Sequence, residues 1–433
     1  MEEKANKTEL SEITEATTPS ENNQEGVIES VIERTDASRA DASDVKKDSF
    51  TLSDPTAQKP SGKKRIAKIV FTVLFILATV AIIAYTAVHD FTTGEDISLK
   101  RVFEMIGDNW YYLLVLLGLF AATILAETVK FFLMIRKTTR KYMFGTAFKC
   151  AALGKFYDYV TPFGSGGQPF QIYYLSKSGV PSGPAGAIPI GSMFLIQFSF
   201  FVCAIISFIV GINPDIVPLP IYIQILAYFG SFCYIIVSLF LVVFSFLPKA
   251  GHKVVGWGVK VCTKLRICKK PEEWLAKGNR AIDNNKTNMG IILQSKRVLI
   301  VGTLLSFVFN IAQCSMPYFT LLLFPEALKA ANLTPSWSLW FDVTRLTFFI
   351  YCAITIVPTP GNSGAADGTF YGLFRTVLAT VAGASFTCMM VWRVFSFYSY
   401  ILLGVIVYVI MKIVAQVRIR RANRLNLPET KNQ

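Results

Sequence analysis

Apolar residues in this 433-residue chain collect in long blocks, near 69–88, 111–135, 185–211, 219–247, 298–324, 338–357 and 376–413. A helix needs roughly 20 mainly apolar residues to cross about 30 Å of hydrocarbon. Each block therefore reads as a membrane span, and the last has length for two passes or one kinked pass. The pattern predicts an all-α, polytopic membrane protein with six to eight crossings, its membrane domain covering 66–415.

Polar residues are blocked as well. Residues 1–65 hold 14 acids and 10 bases with almost no aromatic side chains, too little apolar area to offset the entropy of ordering. They predict a disordered tail, and more than 60 residues of mainly polar sequence ahead of the first apolar block argue against a cleaved signal peptide. Lys63, Lys64, Arg65 and Lys68 hold the entry to the first block on the cytoplasmic side under the positive-inside rule. Arg136, Lys137, Arg140 and Lys141 mark a return to that side. A basic loop at 249–297 carries 12 Lys or Arg against three acids, and a basic tail follows at 416–433. Both termini are expected to be cytoplasmic.

Composition agrees with the blocks: 52% hydrophobic residues and a mean hydropathy of +0.45 leave most of the surface unsuited to water. The excess of 43 Lys and Arg over 29 Asp and Glu sits at span ends, which points away from nucleic acid. In the basic loop, Val254, Val255, Trp257, Val261 and Leu265 are spaced to let a helix lie on an anionic leaflet with Lys253, Lys260 and Lys264 toward headgroups. An ordinary basic loop explains the same charges. Six of the eight cysteines (Cys150, Cys203, Cys233, Cys314, Cys352, Cys388) lie in or beside apolar blocks as small hydrophobes. Cys262, Cys268 and His252 make a poor zinc site.

Two runs interrupt the apolar pattern: Thr161-Pro162-Phe163-Gly164-Ser165-Gly166-Gly167-Gln168-Pro169, and Pro358 through Thr359-Pro360-Gly361-Asn362-Ser363-Gly364 to Asp367-Gly368. Laying Thr161 on Thr359 also pairs Pro162 with Pro360, Ser165 with Ser363 and Gly166 with Gly364. Proline removes a backbone donor and glycine admits positive φ, so each run should break its helix. Broken backbone at membrane depth is tolerated where protein or a watery cavity satisfies the freed groups. Paired interruptions of this kind point to a transporter binding site and to an inverted repeat. Two unrelated re-entrant loops would read the same way.

The stretch Gly154-Lys155-Phe156-Tyr157-Asp158-Tyr159-Val160-Thr161-Pro162, continued by Gly166-Gly167-Gln168-Pro169 and Gln171-Ile172-Tyr173-Tyr174-Leu175, together with Pro358-Thr359-Pro360-Gly361 through Gly364 to Asp367, resembles the transmembrane region of the bacterial lysylphosphatidylglycerol synthase and flippase family. The resemblance covers roughly 66–415. It implies a helical membrane domain with re-entrant elements that moves aminoacylated phospholipids across the cell membrane, some relatives being linked to other lipid carriers. Many relatives carry an acid and then an arginine after the first Gly-Gly, where this chain has Gln168 and Gln171; Asp367 stands where many have glutamate. Synthase members append a soluble aminoacyl-transfer domain, whereas this chain ends about 20 residues beyond its last apolar residue, so it is not expected to aminoacylate lipid.

Ionisable groups within spans are costly unless paired or hydrated, which makes them functional candidates. Glu127 and Lys130 share a helix face; they read either as a structural pair or as placing Glu127 toward a cationic headgroup or coupling ion. Asp342 and Arg345 repeat that spacing. Arg393, where the resemblance often has an arginine, suits a lipid phosphate or carboxylate, or caps broken backbone. Asp158 and Asp367 border the breaks, either recognising an ammonium group or cation or capping half-helices. Gln197, Gln224, Asn310 and Gln313 read as interhelical glue. The expected substrate contacts are Asp158, Thr161, Pro162, Gly166, Gly167, Gln168, Gln171, Arg345, Thr359, Pro360, Gly361, Asp367 and Arg393. With two histidines and no GxxxxGK[ST] run, neither catalysis nor a cofactor nor direct use of ATP is expected. The leading expectation is a translocator of a phospholipid or lipid-linked molecule; a secondary transporter of a small polar solute and a membrane scaffold are the alternatives.

Overall fold

The computed structural model describes residues 99–425 apart from 162–163, 212–220, 247, 265–270, 277, 280–289, 291–294, 355–359, 379–380 and 382. The tail 1–65, the first apolar block, the loop around Asp215, Leu265, Cys268 and the sequence beyond Leu425 lie outside the described residues. So do two of the expected contacts, Pro162 and Thr359.

All regular structure among the described residues is helical: α1 (Leu99–Asp108), α2 (Tyr111–Thr139), α3 (Phe144–Val160), α4 (Gly167–Lys177), α5 (Ser182–Val210), α6 (Ile221–Phe246), α7 (Pro248–Lys264), α8 (Lys296–Leu321), α9 (Pro325–Ala330), α10 (Trp337–Ile354), α11 (Ala365–Leu378), α12 (Ala384–Arg393) and α13 (Ser399–Leu425). Among the described residues, four stretches are long and apolar enough to cross a bilayer: Tyr111–Thr139, Ser182–Val210, Lys296–Leu321 and Ala384–Val417. The protein is thus a polytopic helical membrane protein, as the blocks predict.

Helix ends follow local chemistry. Arg140 takes a left-handed conformation after α2 and returns its N–H to the Arg136 carbonyl, with Arg136 and Lys137 placed to complement the dipole. Gly211, at φ 77°, closes α5 onto the Ser207 carbonyl at 3.0 Å. The long last apolar block resolves into the end of α11, a restart at the left-handed Gly383, and one pass formed by α12, a π-helical turn at Val394–Tyr398 and α13. The chain divides into two compact units, whose described parts are residues 99–408 and the end of α13, residues 409–425.

Both polar runs break their helices. The first separates α3 from α4. The second separates α10 from α11, with a 3₁₀ turn at Pro360–Asn362 packed against α3. Their correspondence reaches the backbone: Gly164 and Asn362, aligned when Thr161 is laid on Thr359, have φ of 59° and 52°. The aligned Gly166 and Gly364 each donate their N–H to a side-chain oxygen, Thr161 Oγ1 at 2.9 Å and Asp367 Oδ2 at 2.8 Å.

Helix α2 packs against α3 and α8, and α8 reaches α5 and α10. One apolar cluster joins Phe131, Met134, Ile135, Leu175, Ile188 and Leu195, while another gathers Phe324, Phe349, Phe370, Phe374 and Trp392. Because lipid is as apolar as leucine, close packing and polar contacts hold such helices together. Gly230 illustrates the first, since a Cβ there would come within 2.5 Å of Ala353 Cα. Asn310 illustrates the second, donating to the Ile196 carbonyl at 3.0 Å and to Ser199 Oγ at 2.6 Å. Leu114, Leu125, Ile209, Leu304 and Leu402 are exposed, as suits a surface that meets acyl chains.

Candidate functional site: a charged cavity at the first break

A helix start leaves backbone N–H groups without intrahelical partners, and these must be satisfied locally in a membrane. At the first break the chain does this with its own side chains. Asp158, near the end of α3, accepts the N–H of Gly167, the first residue of α4, at 2.9 Å through Oδ1. Thr161 Oγ1 accepts from Gly166 N–H and donates to the Tyr157 carbonyl at 2.7 Å. A Cβ on Gly167 would run into the Asp158 carboxylate, and one on Gly166 would sit 2.7 Å from Thr161 Cγ2. The Gly-Gly pair is therefore what lets α4 begin against the end of α3.

Beside this junction lies a cavity of about 340 Å³ lined by Glu127, Lys155, Asp158, Gly164, Ser165, Gln168, Gln171, Pro189, Ser192, Met193, Ile196 and Gln197. Its charged residues come from two helices, Glu127 from α2 and Lys155 and Asp158 from α3. Glu127 of α2 is 4% exposed and pairs with Lys130 Nζ at 2.8 Å while accepting from Ser192 Oγ of α5 at 2.8 Å. Lys130 also donates to the Ser192 carbonyl at 3.4 Å and to Ser306 Oγ of α8 at 3.3 Å. Lys155 places its ammonium 4.4 Å from the centre of the Phe309 ring. Gln171 donates to the Cys150 carbonyl at 3.1 Å, and Gly154 leaves the space its amide occupies. The cavity thus presents two carboxylates, one ammonium, hydroxyls and amides within an apolar bundle.

Glu127 is paired with Lys130 and also lines the cavity. Gln197 differs from expectation in part. It does act as glue, accepting from Tyr234 Oη at 2.9 Å, yet it also lines the cavity. Lys155, Gly164, Ser165, Pro189, Ser192, Met193, Ile196 and Gln197 are the lining residues that the expected contacts omit.

Gly361 and Asp367 of the second run gather with Arg393 and Phe397, and none of these lines the cavity. Asp367 pairs with Arg393 through Oδ1 while its other oxygen caps Gly364. Arg393 lies 4.9 Å and 5.3 Å from the Trp392 and Phe397 ring centres. Gly361, at φ 57°, brings its backbone against Phe397, whose ring also contacts Tyr159 of α3 at 5.2 Å between centres. Arg393 is therefore paired within its own chain, through Asp367. Arg345 pairs with Asp342 beside the Phe341 ring and is not among the cavity residues.

No curated protein matches the chain, and no solved structure does. The family described as the lysylphosphatidylglycerol synthase TM region matches residues 65–404, and the chain belongs to that family.

Proposed function

We propose that this protein translocates a phospholipid or lipid-linked molecule between the leaflets of the cell membrane, with an aminoacylated phospholipid as the leading substrate class. The single observation that carries the reading is the charged cavity of about 340 Å³ inside an apolar helical bundle. A lipid headgroup crosses hydrocarbon slowly because its polar groups lose hydration without replacement partners. Here Lys155, Gln168 and Ser165 suit a phosphate, and Glu127 and Asp158 suit an ammonium group. The acyl chains would remain in the bilayer while the headgroup passes through the cavity. The proposed role is movement of lipid without covalent chemistry. In the same reading both termini face the cytoplasm.

The test uses proteoliposomes containing a fluorescent aminoacyl-phospholipid and a membrane-impermeant quencher. The intact protein is expected to remove the protection of the inner-leaflet lipid, and Lys155→Met to restore most of it at equal reconstitution. If neither this lipid nor a panel of glycolipids and polyprenyl-phosphate sugars moves, the proposal is wrong.

A further inference from the structure

Helix α7 begins two residues after the end of α6 and packs against it, which fixes α7 at the end of a 26-residue apolar helix. Its two faces differ. Val254 and Val255 are half-buried, a Cβ on Gly278 would approach Val255 Cγ1 to 2.6 Å, and His252 Nδ1 meets Asn279 Oδ1 at 2.8 Å. That face is occupied by the protein itself. Lys249, Lys253, Trp257 and Lys260 recur at steps of four, four and three, which places them on one stripe of an α-helix, and all four are exposed. Trp257 is 67% exposed and shares the lysine stripe, whereas the sequence pattern groups it with the valines.

We infer that this stripe rests on the anionic phospholipid headgroups of the leaflet at which α6 ends. Three observations support that occupant. The stripe carries three ammonium groups, and no acid occurs between residues 248 and 270 to neutralise them. An exposed indole with an apolar body and one N–H donor suits the headgroup level. The membrane is adjacent, because α6 leads directly into α7. Each lysine near an anionic surface contributes attraction that salt screens within a Debye length. The stripe would anchor the cytoplasmic end of α6 and concentrate anionic lipid beside the bundle, independently of what the cavity carries.

The test compares the full chain in nanodiscs of phosphatidylcholine alone and of phosphatidylcholine with phosphatidylglycerol. Acetylation of Lys249, Lys253 and Lys260, read by mass spectrometry, is expected to slow several-fold in the anionic discs and to recover in high salt, while the exposed Lys329 keeps one rate throughout. Bromine-labelled anionic lipid should quench the fluorescence difference between the intact protein and Trp257→Phe. Equal acetylation in both discs, or protection that ignores salt, would overturn the inference.

Discussion

Lys130 is 1% exposed, and its ammonium joins three helices through Glu127, the Ser192 carbonyl and Ser306 Oγ. Removing one member of a buried ion pair leaves the other without compensation, at a cost of about 3–5 kcal/mol, whereas removing both is far milder. Lys130→Met is therefore expected to lower the thermal midpoint in detergent sharply, and Glu127→Gln combined with Lys130→Met to recover most of the loss. A double variant as unstable as the single one would show that the pair is not the unit that matters. The spacing of three made this pair legible in the sequence, since residues three apart share a helix face. Ser192 and Ser306 were not legible as its partners, because they lie 62 and 176 positions from Lys130 and meet it only through packing. Arg393 shows the same boundary. Its depth within an apolar block announces a buried charge, but only the approach of α11 to α12 identifies Asp367 as the partner.

Helix interruptions were the most legible elements, since Gly and Pro act through their own backbone. Both runs break where their composition predicts, and even the left-handed residues coincide at Gly164 and Asn362. The capping acids differ in placement, however: Asp158 precedes its break, in the last turn of α3, and Asp367 follows its own, in the first turn of α11. At the first break, steric fit and capping are coupled through one carboxylate. Gly167→Ala drives a Cβ into Asp158 and should destabilise the α3–α4 junction. Asp158→Ala removes that obstacle but forfeits a cap worth about 1 kcal/mol. The double variant is therefore expected to melt higher than Gly167→Ala alone, a non-additivity that a double-mutant cycle reads directly. Additive losses would mean that the carboxylate can swing away freely. The orientation of α7 was less legible. A period of apolar and basic residues gives two faces, but which face the protein covers depends on Gly278 and Asn279 coming back against it.

At the scale of the whole molecule, charge and space in the cavity make separate demands on a passing headgroup. Changing Lys155 alters recognition and electrostatics together, so it cannot isolate the route. Met193 can. It lines the cavity, remains 39% exposed and takes no part in the Glu127–Lys130–Ser192 contacts. Met193→Trp adds an indole's bulk at that wall, and the apolar bundle offers no charge to be left unpaired by the change. If the headgroup passes through this space, translocation should fall by about ten-fold or more, equivalent to about 1.4 kcal/mol on the barrier. Met193→Leu, which keeps size and polarity close to the original, should leave the rate near that of the intact protein. Both variants should melt within a few degrees of it. A tryptophan variant that folds and still moves lipid at the original rate would place the route elsewhere, with the cluster of Asp367, Arg393 and Phe397 as the next space to block. A variant that folds and stalls would tie lipid movement to the cavity by volume alone, independently of any side chain's charge.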